Sequence, residues 1–194
     1  TLLFFLAFGL AFALPGGEAR AQSVCNYAAA QGSTGPANWQ TYCWLDMTAY
    51  SHSAATGSAG QNFTYSLPDG STLTFNMKVT GSNAVGAAAP SWSGAAVGNT
   101  AFTGIGGRPI LYQTAAGTTT VSITGITITP PSGASTITSY IFVAADGESS
   151  NGGESLRFQT NGGGWVLLDE AGPISGSTYP TYTGSGSIQD YLTG

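Results

Sequence analysis

The chain has 194 residues, of which 29 are glycine and only 7% are charged, and its formal net charge is −5. Four lysines and arginines are too few to form the basic surface that neutralises nucleic-acid phosphates or an anionic membrane. The composition therefore argues against nucleic acid as a partner, and the length suffices for one domain with a sizeable core.

An apolar run of 13 residues stands at positions 2–14. It is shorter than the roughly 20 residues that a membrane-spanning helix needs. The breakers Pro15, Gly16 and Gly17 follow it, and residues 19–21 have the small-x-small pattern typical of a signal-peptidase site. We interpret residues 1–21 as a secretory signal peptide that is incomplete at its start; the alternative is an N-terminal membrane anchor.

The two cysteines, Cys25 and Cys43, follow this signal closely. In an oxidising compartment such a pair most simply forms a disulfide, which stabilises a fold by roughly 3 kcal/mol. The alternative is two buried free thiols. The predicted mature protein has an N-terminal segment, 22–39, tied by this disulfide, and a β-sandwich binding domain, 40–194, with a C-terminal exit segment. We expect it to be secreted and not inserted in a membrane.

Segment 63–79 contains the clearest predicted element. Apolar and polar residues alternate on both sides of Asp69-Gly70, which predicts a β-hairpin with one buried face. The hairpin is expected to bury four side chains: Phe63, Tyr65, Phe75 and Met77.

Similar patterns predict further strands. In 119–129 the alternation changes phase at Gly125, which predicts a β-bulge. Residues 80–108 form a long connection of the kind that is functional or packs across one end of a fold. About eight strands at this spacing predict an all-β, two-sheet antiparallel sandwich with negligible helix. The other predicted strands are 41–48, 109–114, 139–145, 155–160 and 164–170, with two more short strands or an exit segment after Pro173.

No catalytic constellation is evident in the sequence. His52, the single histidine, lies in a Ser/Ala/Gly loop without a nucleophile motif. A glycosidase needs two carboxylates across one bond, and the spacing of Asp146 and Glu148 does not support that chemistry. We therefore predict that the chain is not an enzyme, with a secreted carbohydrate-active enzyme or its carbohydrate-binding module as the alternative.

Three carboxylates, Asp146, Glu148 and Glu154, fall within nine residues. With Ser150 and Asn151 they offer the hard oxygens that calcium prefers, among glycines that let the backbone curl. The same residues are typical of a solvated hairpin turn, or could line a ligand pocket. Calcium is thus a candidate ligand of this stretch, and no other cofactor is expected.

The four tryptophans fall into two classes. Trp44 and Trp165 lie in apolar segments and are expected in the core. Trp39 and Trp92 lie in loops and are better candidates for a ligand-binding surface.

Several short motifs follow one another in the order YCWLDMTAY, GQNFTYSLPDGSTLTF, APSWSGAAVGNTAF, GRPILYQT and SYIFVAADGESSNGGESLRFQTNGGGWVLLD. This order, over about residues 40 to 170, resembles the second non-repetitive domain of CshA-type bacterial fibrillar surface adhesins. The resemblance implies a lectin-like sandwich of jelly-roll type, part of a longer cell-surface chain that adheres to a glycan or to a matrix or host protein. The chain departs from the family in its cysteine pair. The expected ligand-binding residues are Asp146, Glu148, Asn151, Glu154, Trp92 and Trp39.

Overall fold

The computed structural model of the chain describes residues 23–137, 139–145, 155–168, 181–185 and 188–192. The predicted signal peptide and the acidic stretch at 146–154 lie outside these residues. The described part of the chain is mostly strand, with one short helix and two 3-10 turns. The all-β prediction is therefore confirmed.

The bounds of the elements are as follows. The 3-10 turns are Trp39–Thr41 and Met47–Ala49, and the helix α1 is His52–Thr56. The strands are β1 (Ser23–Val24), β2 (Ala30–Gly32), β3 (Gln61–Ser66), β4 (Thr72–Gly81), β5 (Ala84–Ala87), β6 (Ala101–Thr103), β7 (Ile110–Gln113), β8 (Thr119–Thr129), β9 (Ser155–Gln159), β10 (Thr181–Ser185) and β11 (Ile188–Leu192).

The strands among the described residues form several sheets that do not close into a barrel. The main sheet has the order β1-β3-β4-β8, in which only the β1–β3 pair is parallel. A second sheet has the order β10-β11-β9, and β2-β6 and β5-β7 form two-stranded antiparallel pairs. The predicted two-sheet sandwich is not confirmed: the described strands form two larger sheets and the short pairs β2-β6 and β5-β7.

The predicted hairpin is confirmed as β3 and β4, with Phe63 opposite Phe75 in the register. Their ring centroids are 5.3 Å apart and stacked, and both rings are buried. Burial of such aromatic side chains supplies a large share of the hydrophobic free energy of a small domain. We call the buried set around them the first core: Met47, Ala55, Phe63, Tyr65, Phe75, Met77 and Val79.

Strand β8 confirms the predicted bulge. Thr74 of β4 pairs with Thr127 and Asn76 pairs with Thr124, so one extra residue of β8 lies between these pairs. Gly125 lies there with a φ of 62°, a conformation that glycine adopts without a steric cost. The bulge keeps the apolar residues on both sides of it on the same face of the sheet.

The predicted strand at 41–48 is wrong. The 3-10 turns occupy its two ends, and within it only Trp44 makes an isolated bridge, to Asn26. The Asp46 carboxylate accepts a hydrogen bond of 2.9 Å from the backbone N–H of Thr48. Such a local bond stabilises a turn and competes with extended backbone.

The predicted strand at 139–145 is also wrong, as is the one at 164–170 over its described residues 164–168, since neither segment forms a strand. Tyr140 is 53% exposed and Ile141 is 87% exposed. An alternating segment becomes a strand only beside a partner with free backbone groups, and none of the described strands pairs with either segment.

The disulfide between Cys25 and Cys43 is confirmed, with 5.5 Å between the Cα atoms. It lies beside a second set of buried residues, Ala28, Val97 and Ile105, which we call the second cluster. Five partly buried hydrophobic residues pack against this cluster: Trp39, Trp44, Ala89, Phe102 and Ile110.

Candidate ligand-binding site

The loop at 89–100, which we call the Trp92 loop, presents an exposed aromatic side chain. Trp92 is 40% exposed, although Val97, five residues later, is buried in the second cluster. The loop closes on itself through the carbonyl of Ala96, which accepts from the backbone N–H groups of Asn99, Thr100 and Ala101 at 3.0 to 3.1 Å. The exposed ring is therefore carried by an internally bonded turn.

Asn99 ties the two halves of this loop together. Its side-chain amide donates to the carbonyl oxygens of Trp92, Ser93 and Ala95 at 3.2, 3.3 and 2.8 Å. The backbone N–H of Ala95 also donates to the Trp92 carbonyl at 3.2 Å. These bonds hold the backbone at Trp92 in one conformation, which lowers the entropy cost of ordering it in a complex.

Gly94 leaves room for the Trp92 ring. A Cβ atom at this position would overlap three carbons of the six-membered part of the indole. The ring thus lies directly against the backbone of Gly94, and a residue with a side chain would displace it.

Trp39 is partly buried, and its role in ligand binding stays a prediction. It packs against the second cluster, the same cluster into which Val97 of the Trp92 loop inserts. Among the described residues no ring contact joins Trp39 to Trp92. Trp39 is therefore less exposed than Trp92, whose ring is open to solvent.

Trp44 behaves as a core residue, as predicted. Its ring makes an edge-on contact with the Phe102 ring at a centroid distance of 5.0 Å. The Tyr42 ring also contacts Phe102 edge-on, at 5.4 Å. Phe102 holds a left-handed backbone conformation with φ of 51°, which is uncommon for a bulky residue. Its ring packs edge-on against both Trp44 and Tyr42. Trp165 packs on Phe158 at 5.6 Å.

Asp46 joins the loop at 104–109 to the rest of the domain. One carboxylate oxygen accepts from the Thr48 hydroxyl and, at 3.0 Å, from the backbone N–H of Arg108. Burial raises the pKa of the carboxyl, but these bonds and the Arg108 charge outweigh burial, so the pKa of Asp46 lies below its usual range. A Cβ atom on Gly107 would meet this carboxylate at 2.6 Å, so the loop needs glycine there.

His52 starts the short helix and is held by the fold. Its Nδ1 lies 3.2 Å from the Tyr50 hydroxyl and accepts a hydrogen bond of 3.4 Å from the backbone N–H of Ala84. The histidine therefore links α1 to β5. Sequence reasoning placed it in an exposed loop, and the structure places it partly buried at this junction.

The acidic residues Asp146, Glu148, Asn151 and Glu154 lie outside the described residues, and so the structure does not test their predicted role. Within the described ranges no group of three His, Cys, Asp or Glu side chains is arranged to hold a metal ion. Arg157, the nearest basic residue to Glu154 in sequence, lies in β9 opposite Asp190 in the strand register.

The comparisons with known proteins agree with the resemblance drawn from the motifs. Residues 40–191 match the family model of the surface adhesin CshA non-repetitive domain 2. The chain belongs to this family. A CshA non-repetitive domain 2 is a module of a surface adhesin, which implies a location at the cell surface and suggests a non-enzymatic role. Comparison with curated proteins and with solved structures found no match.

None of the helices in the described part of this CshA domain has the length and hydropathy needed to cross a membrane.

Two residues that matter for the site, Asn99 and Gly94, were not predicted from the sequence. An asparagine among alanines and glycines indicates only weakly that its side chain will form hydrogen bonds with nearby backbone groups. Which carbonyls it would reach depends on the closure of the whole Trp92 loop.

Proposed function

We propose that this chain is a non-catalytic binding module of a secreted bacterial surface protein. The module would attach that protein to a glycan or to a matrix or host protein. Membership of a surface-adhesin family supports the adhesive role. The observation that carries the choice of site is the presentation of Trp92, exposed on a loop whose backbone is fixed by the Asn99 amide.

An exposed tryptophan on a rigid loop suits both classes of ligand. Its ring offers a large apolar surface with one hydrogen-bond donor, at a low cost in side-chain entropy. In protein interfaces tryptophan is enriched among the residues whose truncation weakens binding most.

The proposal is tested by probing an array of glycans and matrix proteins with the purified mature domain. We expect Trp92→Ala to weaken binding of the ligand that the array identifies by roughly 30-fold, which corresponds to about 2 kcal/mol. Tyr140→Ala is the matched control, because it removes another exposed aromatic ring at a distant position in the sequence.

A second variant tests whether binding requires the Trp92 ring to lie in its present position. Gly94→Ala keeps the tryptophan but places a methyl group where the ring now lies. We expect it to weaken the same binding. Wild-type affinity in both Trp92→Ala and Gly94→Ala would show that the ligand binds elsewhere.

We also propose that Asp146, Glu148, Asn151 and Glu154 contribute to recognition and local order. Three neighbouring carboxylates repel one another unless a ligand, a backbone donor or a cation compensates the charge. The double variant Asp146→Asn, Glu148→Gln should bind the array ligand more weakly while its melting temperature hardly changes. If calcium is the compensating cation, it should raise the melting temperature of the wild type and leave that of the double variant unchanged.

A further inference from the structure

The outer face of the main sheet carries a regular array of hydrogen-bonding side chains. The inner positions of β3, β4 and β8 face the first core, so the alternate positions face outward. All but one of these outward residues have a hydroxyl or amide group, and the exception is Lys78. We call this set the polar face: Asn62, Thr64, Ser66, Thr72, Thr74, Asn76, Lys78, Thr80, Thr120, Ser122, Thr124, Thr127 and Thr129.

The register places these side chains in rows across the three strands. One row consists of Thr64, Thr74 and Thr127, in directly opposed positions. Another runs through Asn62 and Asn76 to the β8 strand. Neighbouring strands lie about 4.8 Å apart, and alternate residues of one strand lie roughly 6.6 Å apart. The groups therefore repeat in two directions.

Part of this array is bonded within the protein and part is not. The Asn76 amide donates to the Asn62 side-chain oxygen at 2.8 Å and to the Ala59 carbonyl at 3.0 Å. By contrast, the hydroxyls of Thr64 and Thr74 make no side-chain hydrogen bond to any described residue. These hydroxyls are left to solvent or to a ligand.

A depression of about 320 Å³ lies at the same place. It is lined by Asn62, Phe63, Thr64, Thr74 and Phe75. Its volume is at the lower end of the range for small-ligand clefts, about 300 to 1,000 Å³. The two threonines with unbonded hydroxyls therefore line a concave part of the polar face.

The chemistry of the face selects among ligand classes. One lysine cannot hold an anionic polymer. The outward positions include no aromatic residue or arginine, and these residue types dominate the energetic centre of protein interfaces. A neutral sugar chain fits, because each of its hydroxyls both donates and accepts, as serine, threonine and asparagine do.

We propose that the polar face is a second binding surface, one that takes a linear neutral polysaccharide. The inference deepens the proposed adhesive function, because it names a ligand class and a site apart from Trp92. Each hydrogen bond exchanged with water contributes only about 0.5 to 1.5 kcal/mol net, so a single sugar unit binds weakly. A polymer that engages several rows, or several copies of the domain, gains from multivalency.

The test is affinity electrophoresis of the mature domain in gels that contain mannan, dextran or soluble xyloglucan, with heparin as the anionic comparison. We expect the wild type to be retarded by at least one neutral polymer and not by heparin. The double variant Thr64→Val, Thr74→Val should bind that polymer roughly tenfold more weakly, since it lacks two hydroxyls. Valine keeps the β-branched shape that favours a strand.

The matched control is Thr41→Val, Thr136→Val, which removes two exposed hydroxyls outside the three strands of the polar face and should bind like the wild type. If the valine pair on the sheet unfolds the domain, Thr64→Arg provides a second test, because its side chain fills the depression from an exposed position. Retardation equal to wild type in either folded variant overturns the proposal.

Other outcomes separate this inference from the role of Trp92. If none of the neutral polymers binds the wild type, or if the valine pair loses only a protein ligand, the polar face is not a polysaccharide surface. Loss of the array ligand in Trp92→Ala, with polymer binding unchanged in the valine pair, refutes this inference and leaves the proposed function standing. Loss of polymer binding in the valine pair, with the array ligand still bound by Trp92→Ala, supports the polar face and refutes the role of Trp92.

Discussion

The first core and the second cluster are built in different ways. The first core consists of large side chains that alternate along two long paired strands, with Phe63 stacked on Phe75. The second cluster contains small buried residues, such as Ala28 and Val97, between short strands and loops. The first is held by repeated burial along a sheet, and the second by particular bonds.

Those bonds are the disulfide at Cys25 and the network of carbonyl and amide groups in the Trp92 loop. The difference teaches that the exposed tryptophan depends on a few local hydrogen bonds and not on burial spread along a sheet. The two regions meet at Asp46, whose carbonyl accepts from the buried Tyr65 hydroxyl at 2.8 Å and whose carboxylate accepts from Arg108.

The largest expected effect lies in the first core. Phe75→Ala leaves a cavity among stacked rings and should lower the free energy of unfolding by about 3–5 kcal/mol. Chemical denaturation followed by circular dichroism measures this loss. Phe142→Ala is the control, because Phe142 is 39% exposed and should cost far less. Equal losses in the two variants would contradict the burial of the hairpin face.

The next effect tests the disulfide of the second region. Replacing Cys25 and Cys43 by alanine should lower the free energy of unfolding by roughly 3 kcal/mol, through greater freedom of the unfolded chain. The same loss should follow when the wild type is denatured in the presence of a reductant. A reductant that destabilises the double variant as much as the wild type would show that another process is responsible.

A smaller effect is expected from Asn99→Ala. The change removes three hydrogen bonds at the loop surface and should cost about 1–2 kcal/mol. The free energy of ligand binding at Trp92 should fall by more than the free energy of unfolding does, because the ring loses its fixed position. Asn99→Asp is an informative partner, since it keeps the shape but cannot donate to carbonyls. Undiminished binding in both would mean that the loop orders itself without this amide.

The smallest effect concerns pH at the junction of the two regions. The pKa of Asp46 is lowered in the folded state. Its contribution to the free energy of unfolding is therefore complete above the unfolded pKa of about 3.9, and it is lost as the pH falls through the lower folded pKa. Asp46→Asn should therefore flatten the fall in melting temperature below about pH 4. The Ser71 backbone N–H also lowers the pKa of Asp69, but that carboxyl is fully exposed, and Asp69→Asn should change the acid profile less.

The sequence predicted the first core well because the information there is local. Alternation along β3 and β4 determines which side chains are buried, and the phase change at Gly125 reveals the bulge without knowledge of the partner strand. The disulfide could be predicted from the count of cysteines together with the predicted export.

The second region was predicted less well because its structure depends on distant contacts. The segment at 41–48 is apolar enough for a strand, but Asp46 caps a turn inside it and Trp44 packs on Phe102 instead. Trp92 could be named as a loop tryptophan. Its rigid presentation depends on Asn99 and Gly94, and neither contact has a sequence pattern.

The disulfide also determines how the domain would carry a mechanical load. Tension applied through the chain before β1 reaches Cys25 and passes across the covalent bridge to Cys43. While the bridge is intact, residues 26–42 form a closed loop outside the line of force. That loop contains β2 and Trp39, which packs against the second cluster, so the tension bypasses both.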